Sequence, residues 1–439
     1  MNLILLSGGS GQRLWPLSNN IRSKQFVPLL KNEDGGYESM VQRVYRQITR
    51  QDPGARIVVA TGKRQVSTIL NQLGDRVDVC VEPCRRDTFP AIVLACAYLV
   101  DVRGVDPSEP VVVCPVDPYV DDSYFAAVHR LAELAGAPDA AHLTLMGVEP
   151  TYPSAKYGYI IPETAETVSR VTAFREKPDE QTAAGYIARG ALWNCGVFAF
   201  RLDYLLQAAH ARMAFSHFED LQKNYAEQEK ISFDYAVAEQ EPDIRVMRFA
   251  GEWKDVGSWN TFAEVMADPA IGKVLMDESC HDTNVVNQLN IPILCMGCDH
   301  MVVAASSDGI LVSDKGRSSH IKPFVEQVEG EARFAEKSWG SFTVLDVQPE
   351  ATTIRIVLNP GHRLTYHSHE HRDEVWTIVA GTGRTVIDGI VRRVHPGDVV
   401  TMPAGARHTL IADTALQVVE VQIGEEINVA DKTKFELDL

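Results

Sequence analysis

The sequence predicts an α/β fold in three parts: a domain with a mixed, mainly parallel sheet, a short β-rich linking module and a C-terminal β-barrel. Up to about residue 265, β-branched runs alternate with helical stretches, which is typical of a sheet covered by helices on both faces. The pattern then weakens into short strands. In the last part, short strands with turns and no helix indicate a small antiparallel barrel. We therefore expect domains at 1–265, 266–325 and 326–439.

The acidic composition limits the classes of partner. The chain has 439 residues, more than one core usually supports, and 45% of them are hydrophobic. Its 42 Lys and Arg against 59 Asp and Glu give a formal net charge of −17, which argues against nucleic acid or an anionic membrane as partner. Any phosphate site in this chain must therefore be a local basic pocket.

The cysteine pattern indicates a reducing compartment. The eight cysteines are scattered from Cys80 to Cys298 and form no disulfide framework, so we expect a cytoplasmic protein. The C-x-x-C at Cys295 and Cys298 has no second pair. It predicts two packed thiols rather than a zinc or redox site.

The first predicted strand is followed by a glycine-rich turn. The apolar run from Leu3 to Leu6 is too short to span a membrane and has no basic leader or cleavage site, so it predicts a buried strand rather than a signal peptide. In the turn, SGGSGQR, glycines let the backbone approach a ligand, and Arg13 and Lys24 add positive charge. The spacing matches neither a P-loop nor a dinucleotide fingerprint. By itself, the turn fits a phosphate cradle and a ligand-free turn equally well.

The sheet continues through the runs RIVVATG, VVVCPVD and HLTLMGVEP, and the stretch after Pro90 has helical spacing. In parallel sheets, ligands bind outside the carboxyl ends of the strands. Asp117 directly follows the strand VVVC. We therefore expect its carboxylate at the same edge of the sheet as the glycine-rich turn.

Four other stretches place polar or small residues beside predicted strands. Glu176 and Lys177 follow a strand in FREKP, and Asn194 lies in a predicted turn in LWNCGVFAF. Asp255 precedes a glycine turn in EWKDVGSW, and Gly158 lies among aromatic residues in KYGYIIP. Each stretch alone is weak evidence, but their order around one sheet is informative.

In that order, the stretches resemble the sugar-phosphate nucleotidyltransferase family. The run from Leu6 to Ser18 matches the family's opening motif, Leu-Ser-Gly-Gly-Ser-Gly-x-Arg-Leu-Trp-Pro-Leu-Ser. The stretches EPCRRDTFPAI and ISFDYAVAE resemble two further family segments, and the resemblance covers roughly the first 320 residues. It implies a Rossmann-like nucleotidyltransferase domain that transfers a guanylyl group from GTP to mannose 1-phosphate, giving GDP-mannose and pyrophosphate.

The resemblance also implies roles for individual residues. The implied nucleotide site comprises Leu6, Gly8, Gly9, Ser10, Gly11, Arg13 and Lys24. The implied catalytic residues are Arg13, Lys24, Asp117 and Asp255. The two carboxylates would hold Mg²⁺, which prefers oxygen ligands. Lys177 would bind the sugar phosphate, while Glu176, Asn194 and the backbone at Gly158 would contact sugar hydroxyls. No covalent nucleophile is needed, because a phosphate oxygen of the sugar attacks the α-phosphorus in line.

The sequence departs from the family pattern at two places. RSKQF stands where the family usually has Tyr-Pro-Lys-Gln-Phe, and PVDP stands where it has Pro-Ser-Asp-His. Lys24 and Asp117 are retained, but the base and the sugar stay open. A nucleotidyltransferase for another sugar phosphate or base is one alternative, and a non-catalytic sugar-nucleotide sensor is another. The sequence also leaves open whether the chain forms a homo-oligomer.

The C-terminal part contains two motifs of the cupin family. Six of the thirteen histidines lie between His362 and His408. The run from Gly361 to Gly381 matches the first cupin motif, and GDVVTMPAGARH matches the second through its histidine. Residues i and i+2 of a strand share one face, so these motifs predict a divalent-metal site. Its ligands would be His367, His369, Glu374 and His408. We assign His362, His371 and His395 to packing or surface positions.

The cupin part resembles the mannose-6-phosphate isomerase domain of bifunctional family members. The usual motif is Gln-x-His-His-His-Arg-x-Glu-His-Trp, whereas here His367 replaces the Gln and Val375 replaces the later His. The family's terminal Tyr-Gly-Arg is also absent, since the chain ends in KTKFELDL. These departures affect isomerisation more than metal binding. Interconversion of mannose 6-phosphate and fructose 6-phosphate therefore stays an alternative activity, and the metal (Zn, Mn, Fe, Ni or Co) stays open.

Overall fold

The computed structural model describes residues 1–9, 12–19, 21–328, 330, 332–428 and 430–437. Contacts divide the chain into two compact units: Met1–Ser10 with Ser23–Ala267, and Gly11–Arg22 with Asp268–Leu439. We call these the first and the second unit. The second unit contains both the predicted linking module and the predicted barrel. The three predicted domain boundaries therefore stay predictions.

The first unit contains, in its described part, thirteen strands and eight α-helices. The strands are β1 Asn2–Leu6, β2 Leu30–Lys31, β3 Tyr37–Glu38, β4 Arg56–Gly62, β5 Asp78–Glu82, β6 Pro110–Pro115, β7 Pro118–Val120, β8 Leu143–Val148, β9 Tyr159–Pro162, β10 Val168–Arg175, β11 Leu192–Arg201, β12 Ile244–Phe249 and β13 Trp253–Asp255. The helices are α1 Met40–Gln51, α2 Val66–Leu73, α3 Thr88–Asp101, α4 Ser123–Gly136, α5 Glu180–Ala188, α6 Leu202–Ala209, α7 Phe218–Lys223 and α8 Trp259–Ala263. Short 3-10 turns cover Lys24–Phe26 and Tyr225–Glu227, and a π-helical turn covers Asp234–Ala238.

Nine of these strands form one sheet in the order β5-β4-β1-β6-β11-β8-β12-β10-β9. Strands β5, β4, β1 and β6 run parallel. Strand β11 instead pairs antiparallel with β6 and with β8. The predicted mixed sheet is therefore confirmed. Because β1 and β6 are parallel neighbours, the loops that follow them lie at the same edge.

Helices cover both faces of this sheet, which explains why β1 is apolar throughout. Ile4 packs in a buried cluster with Ile92 of α3, whereas Leu3 packs in a second cluster with Val44 of α1 and Phe125 of α4. Successive strand residues point to opposite faces, so a strand that is buried on both faces needs apolar residues at every position. The predicted buried strand and the predicted helix after Pro90 are both present.

One local prediction is wrong. Asn194 lies inside β11 and not in a turn, because the chain continues across an irregular register between Asn194 and Phe198. Gly196 has a φ of +75°, which lets the strand bulge without ending. The Asn and Gly that indicated a turn therefore belong to a bulge.

The second unit begins with short strands that pair mainly in parallel. They are β14 Ala270–Ile271, β15 Val274–Met276, β16 Asn284–Asn287, β17 Ile293–Cys295, β18 Met301–Ser306 and β19 Gly309–Asp314. Strands β14, β16 and β18 form parallel pairs, as do β15 and β17. A 3-10 turn at Arg317–His320 and helix α9, Lys322–Val325, follow, and Gln12–Leu14 forms a further 3-10 turn of this unit. Cys295 is buried in a small apolar cluster that Cys298 packs against, as expected for packed thiols.

The rest of the second unit forms two facing antiparallel sheets. The strands are β20 Phe334–Lys337, β21 Gly340–Gln348, β22 Ala351–Leu358, β23 His367–Ser368, β24 Asp373–Ala380, β25 Gly383–Ile387, β26 Ile390–Val394, β27 Val399–Met402, β28 His408–Ala412, β29 Leu416–Ile423 and β30 Thr433–Lys434. One sheet has the order β20-β21-β22-β29-β24-β27 and the other β26-β25-β28-β23-β30. Trp376, Leu410 and Leu416 belong to the core between them. The predicted β-barrel is thus confirmed.

The helices of both units are short relative to the thickness of a bilayer. No helix in the described part of the chain is long and apolar enough to cross a membrane.

Candidate functional site

The glycine-rich turn begins at Ser7, directly after β1. The Ser7 N–H donates to the carbonyl of Ala60 at 2.9 Å, whereas Gly8 and Gly9 are exposed. Gly9 has a φ of +117°, and a Cβ at either glycine would meet no described atom within 4 Å. The turn therefore presents backbone to open space. Ser10 and Gly11 lie outside the described residues.

Hydrogen bonds from three neighbouring segments fix the turn. Ser23 Oγ donates to the carbonyl of Gly9 at 3.3 Å, and Gln65 Nε2 donates to Ser23 Oγ at 2.6 Å. Thr61 Oγ1 in turn donates to Gln65 Oε1 at 2.7 Å. Arg85 Nη2 also donates to the carbonyl of Gly9, at 3.1 Å. Arg85 belongs to the stretch EPCRRDTFPAI, but no sequence pattern assigned its exposed cation to this turn.

Lys24, Asp117 and Asp255 meet at the carboxyl edge of the sheet. Lys24 Nζ lies 3.0 Å from Asp117 Oδ2 and donates to the carbonyl of Val256 at 3.2 Å. Strands β7 and β13 pair antiparallel, with Asp255 opposite Pro118. This register brings Asp255 to within one position of Asp117. Two acidic residues that are far apart in sequence are thus neighbours, with one ammonium group contacting both segments.

Aromatic side chains line the side of this edge that faces β11. The Tyr157 ring lies 4.7 Å from the Trp193 ring and 5.9 Å from the Trp253 ring, measured between centroids. Burial and the nearby Asp255 carboxylate raise the pKa of the Tyr157 hydroxyl. Its proton is therefore held throughout the physiological range, and the hydroxyl is a permanent donor.

The four residues expected at the sugar lie together. Lys177 Nζ is 2.8 Å from Glu176 Oε1, and the N–H of Asn194 donates to the carbonyl of Gly158 at 2.8 Å. A Cβ added to Gly158 would lie 2.4 Å from Glu176 Oε2 and 3.3 Å from Asn194 Cβ. Glu176 Oε2 is buried and has no hydrogen-bond partner among the described residues. It is an acceptor that a ligand hydroxyl could satisfy.

Asp234, which no sequence prediction assigned, belongs to the same cluster. Asn194 Nδ2 donates to Asp234 Oδ1 at 2.7 Å. Burial, followed by the Glu176 carboxylate, raises the pKa of Asp234 to about 7, against the opposing effect of Lys177. The residue lies in ISFDYAVAE, so the family resemblance could have pointed to the segment. The π-helical turn that directs its side chain toward Asn194 has no simple sequence signal.

Arg13 is the one described N-terminal candidate that belongs to the second unit. It is exposed in the 3-10 turn Gln12–Leu14, within the segment that clusters with residues 268–439. Its role stays a prediction. Leu6 ends β1 and pairs with Ala60 on one side and with Pro115 on the other.

The four predicted cupin ligands form a compact cluster in the barrel. Their ligand atoms all lie within 4.8 Å of one another, and each residue is at least 97% buried. The register pairs His367 of β23 with His408 of β28. Glu374 Oε1 lies 3.0 Å from His369 Nε2, and Glu374 Oε2 lies 3.2 Å from His408 Nε2. The cluster is therefore three imidazoles around one carboxylate.

Backbone carbonyls orient all three rings in the same way. The Nδ1 atoms of His367 and His408 lie 2.6 and 2.9 Å from the carbonyls of Thr365 and Ala406. His369 Nδ1 contacts the carbonyl of Asp431. A carbonyl only accepts hydrogen bonds, so each Nδ1 carries the proton and each neutral ring directs the lone pair of Nε2 into the cluster. Burial lowers the pKa of His367 to about 3, which keeps that ring neutral.

This donor set fits a divalent metal. The lone pairs of the Nε2 atoms and of the carboxylate oxygens repel one another unless a cation lies between them. In addition, His408 Nε2 and Glu374 Oε2 have no hydrogen-bond partner among the described residues. Arg372 Nε lies 3.3 Å from Glu374 Oε1, and this positive charge favours the ionised carboxylate, which is then available as a ligand.

Three residues that the sequence did not single out surround these ligands. Arg372 donates from Nη2 to His369 Nε2 at 3.1 Å and from Nε to Glu374 Oε1 at 3.3 Å. Gln422 Nε2 reaches Glu374 Oε1 at 3.4 Å and Glu420 Oε1 at 2.7 Å. A metal at this cluster must share Glu374 with the Arg372 guanidinium and compete with it for His369.

Comparisons with known proteins agree with both halves of this description. The family model for nucleotidyl transferases matches residues 2–270, which is more than half of the chain. The chain belongs to the nucleotidyl transferase family. The family model for the mannose-6-phosphate isomerase C-terminal domain matches residues 327–437. The nucleotidyl transferase match thus includes the Lys24, Asp117 and Asp255 cluster, and the second match includes the histidine cluster.

Two curated relatives align with nearly the whole length of this chain. The xanthan biosynthesis protein XanB of Xanthomonas campestris pv. campestris (strain B100) is 31% identical over 99% of this chain and 97% of its own length. The mannose-1-phosphate guanylyltransferase of Escherichia coli (strain K12) is 28% identical over 98% of this chain and 97% of its own. A crystal structure described as mannose-1-phosphate geranyltransferase from Thermus thermophilus matches with a TM-score of 0.61 and 30% identity, covering 75% of this chain and 99% of that one.

Proposed function

We propose that this nucleotidyl transferase transfers the guanylyl group of GTP to mannose 1-phosphate, giving GDP-mannose and pyrophosphate. The observation that supports this most directly is the cluster of Lys24, Asp117 and Asp255 beside an open glycine-rich turn. Full-length relatives named mannose-1-phosphate guanylyltransferase support the choice of base and sugar. The eight free cysteines fit a reducing compartment, and we place the reaction in the cytoplasm.

The reaction needs positioning and charge neutralisation. A phosphate oxygen of mannose 1-phosphate forms a bond to the α-phosphorus of GTP, and the bond from that phosphorus to the bridging oxygen breaks, so that pyrophosphate leaves. Backbone N–H groups at Gly8 and Gly9 bind the phosphates, and Lys24 neutralises charge on the leaving group. Mg²⁺ held by Asp117 and Asp255 would supply a second positive charge at the α-phosphate.

The second cluster binds the sugar. Lys177 receives the phosphate of mannose 1-phosphate, and Glu176 Oε2, which lacks a partner among the described residues, accepts a sugar hydroxyl. Because Gly158 has no side chain, the space beside Glu176 Oε2 is open to that hydroxyl; an added Cβ would lie 2.4 Å from this oxygen. Asn194 is oriented by Asp234 and completes the pocket.

The proposal is tested by pyrophosphate release over a matrix of nucleotides and sugar phosphates. GTP, ATP, UTP and CTP are each paired with mannose 1-phosphate, glucose 1-phosphate and fucose 1-phosphate. We expect GTP with mannose 1-phosphate to give the highest kcat/KM, by at least about tenfold over the next pair. A different best pair would replace the substrate assignment. Binding of GDP-mannose without turnover of any substrate pair would instead indicate a non-catalytic sugar-nucleotide sensor.

The barrel supports a second candidate activity. The match to the mannose-6-phosphate isomerase C-terminal domain and the buried cluster around Glu374 favour a metal-dependent isomerase, in addition to the transferase. At this cluster, a divalent metal would polarise the carbonyl and hydroxyl oxygens of an open-chain sugar phosphate. A coupled assay for fructose 6-phosphate formation from mannose 6-phosphate, with and without a chelator, tests it.

A further inference from the structure

A cavity in the second unit lies apart from the histidine cluster. Its volume is about 650 Å³. It is lined by Arg22 and other residues of segment 16–22, by the turns at 288–290 and 306–310, and by side chains of β20, β21 and β22. All of these residues belong to the second unit. No step of the proposed transferase or isomerase uses them.

The lining is basic although the chain is acidic. Its three guanidinium groups belong to Arg22, Arg333 and Arg355, and its one carboxylate belongs to Asp308. Asp308 already accepts from Asn19 Nδ2 and from the N–H of Arg333, each at 2.6 Å. Even when Glu336, which also acts on Arg22, is counted with Asp308, two carboxylates face three guanidinium groups. A positive lining in a protein with a net charge of −17 is a local basic pocket.

Arg22 is the buried member of the set. Its side chain is 92% buried, its Nη1 donates to Gln288 Oε1 at 3.5 Å, and its guanidinium lies 5.1 Å from the Phe334 ring centroid. Its Nε–H is buried and has no hydrogen-bond partner among the described residues. Burial lowers the pKa of Arg22, while Glu336 and Asp308 raise it, and an arginine keeps its charge in either case. A buried cation with an unused donor favours an anionic ligand.

The other two cations lie at the exposed side of the cavity. In the register of the barrel, Phe334 is opposite Thr343, and Thr343 is opposite Arg355. These three side chains therefore form one row across β20, β21 and β22. Arg355 and Arg333 are exposed. The row runs from the exposed Arg355 to the half-buried Phe334, whose ring contacts the guanidinium of Arg22.

We propose that this cavity binds a phosphorylated small molecule, with the phosphate between Arg22, Arg333 and Arg355. Guanidinium groups match phosphate oxygens in geometry and charge. The volume falls in the range of organic-ligand sites, about 300 to 1,000 Å³, so the cavity holds more than a bare phosphate. Leu17, Leu289 and Leu345 offer apolar surface to the organic part of the ligand. This site goes beyond the proposed function.

The test measures ligand binding to the full-length protein with a readout that is local to the cavity. The probes are inorganic phosphate, mannose 6-phosphate, GDP and GDP-mannose. Amide hydrogen exchange is followed in the segments 286–290 and 305–310, which line the cavity, and is titrated to give an apparent Kd for each probe. Exchange in the first unit reports binding at the transferase site separately.

The variants are Arg22→Gln, Arg355→Gln and, as matched control, Arg392→Gln, an exposed arginine of β26 in the same barrel. We expect at least one organic phosphate to protect both segments, and we expect Arg22→Gln and Arg355→Gln each to raise its Kd at least about tenfold. Arg392→Gln should leave the Kd unchanged. If Arg22→Gln does not fold, Arg355→Gln decides, since its side chain is exposed.

Three results would overturn the proposal. The first is no protection of either segment by any probe at millimolar concentration. The second is protection that Arg355→Gln and Arg22→Gln leave unchanged. The third is equal binding of inorganic phosphate and all organic phosphates, which would leave only a general anion site. The organic phosphate with the lowest Kd would show whether the cavity recognises a nucleotide or a sugar phosphate.

Discussion

Two carboxyl groups, Glu176 and Asp234, lie near one ammonium group, Lys177. Lys177 Nζ pairs with Glu176 at 2.8 Å, and Asp234 accepts from Asn194 at 2.7 Å. Two carboxylates in one buried place disfavour double ionisation, so one of them holds its proton to a higher pH than usual. In this cluster it is Asp234, whose pKa is raised to about 7.

This raised pKa predicts how stability depends on pH. Because the folded state binds the Asp234 proton more tightly than the unfolded state, Asp234 lowers the free energy of unfolding as the pH rises from about 4 to about 7. Asp234→Asn removes this effect and keeps an acceptor for Asn194. The free energy of unfolding of the variant, minus that of the wild type, should increase by about 2 kcal/mol between pH 4.5 and pH 8. This is roughly half of the free energy that the full pKa shift would contribute.

Urea unfolding at a series of pH values measures this difference, with the exposed Asp75→Asn variant as control. A constant difference between Asp234→Asn and wild type across the series would contradict the assignment of the titrating group.

Lys177 leads to a second prediction at the residue scale. It is assigned to the sugar phosphate, so Lys177→Ala should raise the KM for mannose 1-phosphate at least about tenfold and change the Kd for GTP less than about twofold. Steady-state kinetics and calorimetry with GTP provide the two numbers. Lys223→Ala, at the exposed end of α7, is the matched control. Equal losses for both substrates would place Lys177 on the nucleotide instead.

At the scale of elements, one short antiparallel pair assembles the proposed Mg²⁺ site. Strands β7 and β13 have three residues each, and their register brings Asp255 beside Asp117. Neither strand belongs to the nine-stranded sheet. The pair extends the carboxyl edge of β6, so the acidic residues lie where the turn after β1 also ends.

This arrangement predicts the effect of removing one carboxylate. Asp255→Ala should lower kcat by at least about two orders of magnitude, because the Mg²⁺ that we propose it holds would stabilise charge mainly in the transition state. The KM values should change much less, and circular dichroism should show a folded protein. Glu264→Ala, an exposed acidic residue that follows α8, is the control. Near-normal pyrophosphate release from folded Asp255→Ala would remove this residue from the mechanism.

At the scale of the whole molecule, two chemically different metal sites are proposed in two units. One has carboxylate oxygens and suits a hard ion, and the other has three imidazoles and one carboxylate and suits a transition metal. Since the residues proposed for each site all belong to one unit, the sites should be separable by mutation.

The double variant His367→Ala with His369→Ala tests this separation. It should lose a bound transition metal and lower the melting temperature of the barrel by about 5 to 10 °C, because a metal bound only to the folded state stabilises it. Guanylyl transfer should persist. Metal analysis, calorimetry and both activity assays are compared with the control His362→Ala with His395→Ala, two exposed histidines of the same barrel. Loss of pyrophosphate release in the folded double variant would contradict independent sites.

Much of the fold follows from local patterns in the sequence. The all-apolar β1, the helix after Pro90 and the alternating strands of the barrel were predicted because burial on one or two faces dictates the period of hydrophobic residues. The cupin ligands were predicted for a similar reason: their motif spacing puts His367 and His369 on one face of a strand. Asn194 was placed in a turn, since a bulge and a turn use the same residue types.

The sequence by itself determined which chemical groups are available: the glycine-rich turn, the cations and carboxylates that follow the strands, and the three histidines of the cupin motifs with Glu374. Only the tertiary structure decided which of these groups meet. It placed Asp255 beside Asp117, Asp234 against Asn194, and Arg22 over the Phe334 ring. The physical reason is that side-chain identity is a local property, whereas distance and burial depend on packing between segments that are remote in sequence. Distance and burial in turn set the pKa values and decide which buried donors lack a hydrogen-bond partner.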